Sequence, residues 1–398
     1  MLKIVETPRL KPGMFVVDLN AGWLEHPFVR NRLRLSADDI DTIRSAGIKQ
    51  VTIDTEQGLD DLAAPTLASV EVAESKALEV LGADEAGAVS GSAPADRGRA
   101  QQVVDQAVCA VRILLDDIRL GNPPDLAIVE CVAREVAREV VANPAMAMVV
   151  YHLHQTCEYT FAHSLRVAVL AVSCAHKIGL PEEFCQRIAL GGLLHDVGKM
   201  CVRQEVLQKP ERLTPDEMEH MRQHVMLGAG LVRAESLPAE SLAVLLEHHE
   251  RYDGNGYPRR LQGEEISLAG RIAAIADVYD AISSDRWYHK GLPPAAAIRK
   301  IHEWSKHHFD PELTAHFIRA VGIYPVGSLV RLSNRRLAVV VENHPNTPLH
   351  PRVLPVFDLH TAKALVRAHE LDLSQRRHVR IEGYEDPGEW GINPGDYF

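Results

Sequence analysis

The sequence predicts a mainly α-helical protein with a small α/β module at its N-terminus and a small β-rich segment at its C-terminus. Apolar residues recur at helical spacing from about residue 101 to about residue 320. Within residues 1–60, short apolar runs of strand character flank one helical stretch. After Gly322 the apolar pattern changes from the helical period to the strand period.

The N-terminal module, residues 1–60, is predicted to combine strands with one helix. Strands are expected at 15–19 and 51–54, where β-branched and aromatic residues cluster. Between them, Ser36 and Asp39 form a capping-box pattern, and Gly47 suits the end of the helix. Residues 61–100 are rich in Ala, Ser, Gly and acidic side chains, which predicts a flexible linker.

The helical region is predicted to contain connecting helices over residues 101–150 and a larger helical domain over residues 151–320. A stop signal at 121–124 ends the first helix, and a capping box at Thr214 and Glu217 begins a later one. The further helices are expected at roughly 124–142, 145–155, 158–178, 182–196, 215–232, 239–249, 268–283 and 294–305. The segment 321–398 is predicted to be β-rich, with strands at 328–332, 337–342 and 353–357.

The composition argues against several classes of protein. Apolar residues make up 46% and charged residues 24% of the chain, which is ordinary for a globular protein. The net charge of −11 makes binding to a nucleic acid polymer unfavourable, because phosphate contacts need a basic surface. There is neither an apolar run of about 18 residues nor a signal peptide, so we expect no membrane insertion and a cytoplasmic location. The six cysteines show no C-x-x-C pairing and are interpreted as reduced, mostly buried thiols.

Histidine and aspartate occur together at several places in the helical region. The candidate residues are His163, His195, Asp196, His224, His248, His249 and Asp277. Imidazole and carboxylate together suit transition metals, and an adjacent His-Asp pair lets the carboxylate bridge to a second ion. Seven ligands are too many for one tetrahedral zinc but suit two ions with an open position. Two ions about 3.5–4 Å apart are common equipment for phosphodiester hydrolysis.

Taken singly, each of these features has a plainer interpretation. A lone histidine within a helix, such as His163, is usually a hydrogen-bonded polar residue. His195-Asp196 fits an ordinary helix end, where histidine suits the negative end of the helix dipole. The segment 253–256 is by itself a turn. It is their combination and order along the chain that favour a metal site.

The two longest motifs resemble a known family. His195-Asp196-Val197-Gly198-Lys199 and the segment 248–258, which reads HHERYDGNGYP, resemble the HD-GYP subgroup of the HD phosphohydrolase superfamily. The resemblance covers roughly residues 150–320 and continues through 277–281 and 284–288. Through the segment 22–28, residues 1–60 resemble, less strongly, the domain of unassigned function that often precedes such a domain. The resemblance implies an all-helical, HD-type metal-dependent phosphohydrolase domain at 151–320.

The resemblance also implies a role for each candidate residue. One ion would be held by His163, His195, Asp196 and Asp277, and the other by Asp196, His224, His248 and His249. Asp196 would bridge the ions and, with Lys199, would be catalytic. Lys199, Tyr257 and Arg286 would contact the substrate, whereas Asp280 is expected beside the ligands rather than among them.

The number and kind of ions are expected on the same basis. Family members with a third metal carry a glutamate four residues before the first histidine; in this chain that position is Tyr159, and Glu158 lies one step away. We therefore expect two divalent transition metal ions, with Fe, Mn or Ni favoured and Zn compatible.

The expected function is metal-dependent hydrolysis of cyclic di-GMP to linear pGpG by a metal-bound hydroxide, with further cleavage to GMP left open. One alternative is a sensor that binds the cyclic dinucleotide without turnover, and another is hydrolysis of a different cyclic dinucleotide. A second copy of the chain and a signalling protein both remain candidate partners. The sequence identifies neither the metal nor the input signal.

Overall fold

The computed structural model describes residues 1–20, 32–70, 97–122, 124–143, 146, 159–207, 209, 213–233, 236–284, 291–344, 347, 349–365, 369–376 and 378–397. The protein is mainly α-helical with strand-rich regions near both ends, as predicted. The chain forms two compact units, one of Met1–Ala77 with Cys201–His224 and the other of Leu78–Met200 with Val225–Phe398. The finer division at residues 60, 100, 150 and 320 stays a prediction.

α-Helices are the main regular structure of the described chain. In chain order they are α1 (Ala37–Ser45), α2 (Arg97–Arg119), α3 (Leu126–Ala142), α4 (Tyr159–Lys177), α5 (Glu182–Leu194), α6 (Gln204–Leu207), α7 (Pro215–Arg222), α8 (His224–Leu231), α9 (Ala239–Glu247), α10 (Leu268–Ser283), α11 (Pro294–Trp304), α12 (Pro311–Val321) and α13 (Pro387–Trp390). Among the described residues, no helix combines the length and apolar character needed to span a bilayer.

The strands form two antiparallel sheets. In the first unit, β1 (Leu2–Glu6), β2 (Phe15–Asp18), β3 (Leu33–Arg34) and β4 (Gln50–Asp54) lie in the order β1-β4-β2-β3. In the second unit, β5 (Leu329–Leu332), β6 (Arg336–Glu342), β7 (Arg352–Asp358), β8 (Lys363–Ala364), β9 (Leu371–Asp372) and β10 (Ile381–Glu385) form the other sheet. Its order is β10-β5-β6-β7-β8, with β9 paired to β7.

Helices α4 and α5 lie at the centre of the second unit and approach each other closely. A Cβ added at Gly192 on α5 would lie 2.7 Å from the Cα of Ala168 on α4. One added at Gly191 would lie 2.6 Å from the Cβ of Val244 on α9. Because neither glycine has a side chain, α5 can pack tightly against both neighbours. This packing brings together the helices that carry His163, His195 and His248.

The predicted capping boxes at Ser36 and Thr214 are confirmed, since each side chain accepts a hydrogen bond from the third residue of its helix. The single helix predicted at 215–232 is wrong, because the chain breaks at Gln223 into α7 and α8. At the break, the Gln223 N–H donates to the carbonyls of Glu219 and Met221, and the Met221 carbonyl also accepts from the His224 ring.

Three other expectations had mixed outcomes. The helix predicted at 145–155 falls almost wholly outside the described residues. Helix α12 was not individually predicted, although Asp310 caps it, Pro311 begins it and Gly322 ends it at a positive φ. The cysteines were expected to be mostly buried, which is wrong for Cys109, Cys131 and Cys201; all five described cysteines are free thiols.

Candidate metal centre

The candidate ligands of the second unit stand at helix ends, with two exceptions. His195 is the C-cap of α5, and His248 is the C-cap of α9. Helix ends leave backbone carbonyls without helical partners, so a nearby ring N–H can donate to them. The two exceptions, His163 and Asp277, lie within α4 and α10 respectively.

One group of donor atoms surrounds the ring of His163. Its Nε2 lies 3.1 Å from Asp277 Oδ1, 3.3 Å from His195 Nε2 and 3.5 Å from Asp196 Oδ2. His195 Nε2 lies 3.3 Å from Asp196 Oδ2 and 3.8 Å from Asp277 Oδ1. All four side chains are buried. One atom each of His163, His195 and Asp196 lies within 4.8 Å of the others, a spacing suited to ligands of one ion.

A second group within the same unit contains Asp196, His248 and His249, with one donor atom of each within 4.8 Å of the others. His224 is the first residue of α8, and α8 is held by Gly228, where an added Cβ would lie 3.1 Å from the Gly198 N atom. His249 Nδ1 lies 3.6 Å from Asp277 Oδ2. Asp196 therefore belongs to both groups, which is the position required of a bridging carboxylate.

Backbone hydrogen bonds fix the tautomer of three rings. His195 Nδ1 donates to the Gly192 carbonyl at 2.8 Å, and His224 Nδ1 donates to the Met221 carbonyl at 2.8 Å. His248 Nδ1 is 3.1 Å from the Val244 carbonyl oxygen. A carbonyl oxygen can only accept, so each Nδ1 carries the proton and each Nε2 keeps a lone pair for a metal. The donor set of imidazole nitrogens and carboxylates fits divalent transition metals.

Charges around Asp277 keep it ionised. Burial opposes ionisation, but the close contact with His163 and the nearby His249 hold the pKa of the Asp277 carboxyl well below its usual range. Asp277 is thus an anionic donor beside the histidines, as a metal ligand must be.

Lys199 lies on the short 3₁₀ turn Val197–Cys201 that directly follows the His-Asp pair. Its Nζ is 2.5 Å from Asp196 Oδ2, and its side chain is 23% exposed. The ammonium group is therefore next to the shared carboxylate and within reach of solvent, where a ligand's phosphate could meet it.

The loop after α9 places Tyr257 over the site. The Tyr257 ring stacks on the His249 ring, with centroids 4.6 Å apart and planes 27° from parallel. Glu250 is buried, and its carboxylate accepts hydrogen bonds from the backbone N–H groups of Arg259 and Leu261, at 2.7 and 3.0 Å. Glu250 therefore anchors the backbone of the loop that carries Tyr257.

Some predicted features lie outside the described residues, and one important residue was missed. Arg286, Glu158 and the 22–28 marker fall outside, and no side chain is described for Tyr159. Asp280 contacts His163, as expected of a residue beside the ligands.

Sequence reasoning missed Arg166, which is buried and paired with Asp280. An arginine among the apolar residues of α4 was the signal for it, since a buried guanidinium needs a partner.

A helical domain with a His-Asp pair, the aspartate of which belongs to two donor groups, is typical of HD-type phosphohydrolases. Family models agree: "HD domain" matches residues 148–313, "Domain of unknown function (DUF3391)" matches 2–129, and "KOW domain associated with HD domain" matches 329–391.

The similarity to one relative extends along nearly the whole chain. Cyclic di-GMP phosphodiesterase PA4108 of Pseudomonas aeruginosa is 38% identical over 402 residues, covering 98% of this chain and 94% of its own. A cyclic di-GMP phosphodiesterase of Thermotoga maritima is 38% identical over 40% of this chain and 44% of its own. A 3′3′-cGAMP-specific phosphodiesterase 2 of Vibrio cholerae is 35% identical over 45% of this chain and 34% of its own. The chain belongs to the HD-GYP family of HD-domain phosphodiesterases, which confirms the resemblance.

Proposed function

We propose that this protein hydrolyses cyclic di-GMP to linear pGpG with two divalent metal ions bound at the candidate centre. The observation that carries the proposal is the position of Asp196, which belongs to both groups of donor atoms. The near full-length similarity to a cyclic di-GMP phosphodiesterase supports the choice of substrate. The proposed ligands are His163, His195, Asp196 and Asp277 for one ion, and Asp196, His224, His248 and His249 for the other.

When bound, the two ions would lower the pKa of a water molecule and offset negative charge on the phosphoryl oxygens. The histidines whose Nδ1 atoms donate to backbone carbonyls would direct their Nε2 lone pairs toward the two ions. Asp196 and Asp277 supply the negative charge that makes the centre favourable for cations. Fe, Mn or Ni would suit this donor set best, with Zn also compatible, and Tyr159 in place of a glutamate favours two ions over three.

Three further side chains of the chain would act on the substrate. Lys199, beside Asp196, would meet a non-bridging oxygen of the scissile phosphate and offset its growing charge. Tyr257 would contact the nucleotide from its position on His249, and Arg286 is proposed for the same role from the sequence alone. In the reaction the oxygen of water bonds to phosphorus, the bond from phosphorus to the 3′ oxygen breaks, and that oxygen takes up a proton.

The other predictions from the sequence stay proposals. A sensor without turnover is less well supported, because none of the residues expected of the catalytic site is missing from the sequence. The Vibrio cholerae relative named for 3′3′-cGAMP makes a second cyclic dinucleotide worth testing. We also propose a cytoplasmic location, which the free thiols of the described cysteines support.

The test is product analysis with purified protein loaded separately with Fe, Mn and Ni. Cyclic di-GMP and cyclic GMP-AMP are supplied in parallel, and products are separated by chromatography and identified by mass. We expect linear pGpG as the first product and a higher kcat/KM for cyclic di-GMP. Binding without turnover under every metal would support the sensor instead, and a higher kcat/KM for cyclic GMP-AMP would overturn the choice of substrate.

A further inference from the structure

A buried arginine stands behind one ligand of the centre. Arg166 is 2% exposed, although it lies on α4 between the buried residues Leu165 and Val167. Its Nε donates to Asp280 Oδ1 at 2.5 Å and its Nη2 donates to Asp280 Oδ2 at 3.0 Å. This two-point contact is the fork geometry that suits guanidinium and carboxylate.

Asp280 is in turn bonded to His163. The His163 Nδ1 atom donates to Asp280 Oδ2 at 2.7 Å, so the ring's Nε2 faces Asp277, His195 and Asp196. His163 lies within α4, where the helix uses the backbone carbonyls, so its ring needs a side-chain acceptor. Asp280 is that acceptor, and Arg166 determines where its two oxygens lie.

We propose that Arg166 is a positioning residue that, through Asp280, fixes the His163 ring as a ligand for one of the two proposed ions. The inference rests on the proposed function, because it treats His163 as a metal ligand. A carboxylate that accepts from the far nitrogen of a ligating histidine orients the ring and raises its basicity.

The alternative is that Arg166 serves the fold alone. Two facts favour the positioning role over that alternative. A buried ion pair adds little net stability, because desolvating both charges costs about as much as their attraction returns. The contacts of Arg166 also lead to the site, since the Asp280 carboxylate with which it pairs accepts from the ring of His163 at 2.7 Å.

The role predicts a selective effect on metal binding. In the described structure the Arg166 contacts lead to His163, a member of one donor group, whereas His248 is oriented by backbone carbonyls. Loss of the guanidinium should therefore weaken one ion and largely spare the other. The loss expected for such an outer contact is about 10- to 100-fold in metal affinity.

The experiment titrates metal-free full-length protein with Mn²⁺ and follows the free ion by electron paramagnetic resonance. Wild type is compared with Arg166→Met, with Arg166→Lys, and with Arg187→Met as a matched control. Arg187 also pairs with carboxylates, those of Glu183 and Glu240, but on the surface of α5. Circular dichroism and thermal unfolding monitor the fold of each variant.

We expect Arg166→Met to weaken one of two classes of Mn²⁺ site by about 10- to 100-fold and to leave the other close to wild type. Arg166→Lys keeps the positive charge but not the two-point contact with Asp280, so its affinity for Mn²⁺ at that site should lie between those of wild type and Arg166→Met. It provides the test if Arg166→Met does not fold. Arg187→Met should match wild type. The proposal would be overturned if a folded Arg166 variant bound Mn²⁺ at both classes of site with wild-type affinity. It would also be overturned if both classes of site lost affinity equally and the Tm fell. The titration measures Mn²⁺ binding without substrate, so its result does not depend on which cyclic dinucleotide the protein cleaves.

Discussion

Two ways of holding a histidine meet in the candidate centre. His195, His224 and His248 stand at helix ends, and each donates its Nδ1–H to a nearby backbone carbonyl. His163 stands inside a helix and donates to a carboxylate from a different helix, 117 residues away in sequence. The first kind of orientation is built by the local chain, whereas the second depends on how two helices pack.

The difference shows which histidine contacts a single substitution can remove. A backbone carbonyl cannot be removed by substitution, so the rings at helix ends depend mainly on helix geometry. The His163 ring depends on two side chains, Asp280 and Arg166, each of which a single substitution can remove. We call His195, His224 and His248 the backbone-held half of the centre and His163 the carboxylate-held half. Variants that act on each half separately can therefore test the comparison.

The largest effect is expected where the two halves join. Asp196→Ala removes the carboxylate shared by both donor groups and the partner of Lys199. Metal ions contribute several kcal/mol of transition-state stabilisation, so kcat/KM should fall by about 1,000-fold or more. Steady-state kinetics with metal-loaded protein measures this. An unchanged rate in a folded variant would refute the assignment of the site.

The carboxylate-held half should respond to Asp280→Asn. The variant leaves the buried Arg166 without its ionised partner, and breaking such a pair costs about 3–5 kcal/mol of unfolding free energy. It also weakens the support of His163, so metal affinity should fall by about 10- to 100-fold. Urea unfolding and metal titration measure the two effects. Wild-type values in both would mean that His163 is held in another way.

The backbone-held half should respond to changes in helix packing. In Gly192→Ala, the new methyl group would lie 2.7 Å from the Ala168 Cα, so α5 must move away from α4. Such overpacking costs about 1–3 kcal/mol, and the Gly192 carbonyl that holds His195 would move with the helix. Gly230→Ala is the matched control, because nothing lies within 4 Å of its added Cβ.

Gly230 lies in helix α8, so its replacement by alanine should stabilise the protein by about 0.5–1 kcal/mol. Thermal unfolding of both glycine variants measures the contrast. Equal shifts of Tm in the same direction would argue against tight α4–α5 contact as the feature that sets the His195 position.

The smallest effect is expected in the loop over the site. Glu250→Gln exchanges one of two accepting oxygens for an NH₂ group, so the Arg259 and Leu261 N–H groups can no longer both be satisfied. Losing one such hydrogen bond is worth about 1–3 kcal/mol, and the loop that carries Tyr257 should loosen. We expect KM to rise more than kcat falls, with exposed Glu264→Gln as the control. A selective fall in kcat would instead link Glu250 to the chemical step.

Much of this arrangement could be predicted from the sequence because the signals are local. The His-Asp pair, the double histidine and the capping boxes at Ser36 and Thr214 each occupy a few neighbouring residues. Their chemistry limits what they can do wherever the chain places them. The family resemblance then supplied an order for ligands that no local pattern contains.

The remainder depends on distance and could not be predicted in this way. The partner of Arg166 lies 114 residues away, and no local pattern names Asp280. The break at Gln223 coincides with a hydrogen bond between the His224 ring and the Met221 carbonyl, which helical periodicity does not reveal. The role of Glu250 was also hidden, because its partners are backbone N–H groups of ordinary residues.

The most direct test of the central claim is metal analysis of anaerobically purified protein, joined to an assay of cyclic di-GMP cleavage before and after metal removal. We predict two transition metal ions per chain, loss of pGpG formation when they are chelated, and recovery when they are restored. Cleavage at the same rate by fully metal-free protein would contradict the account.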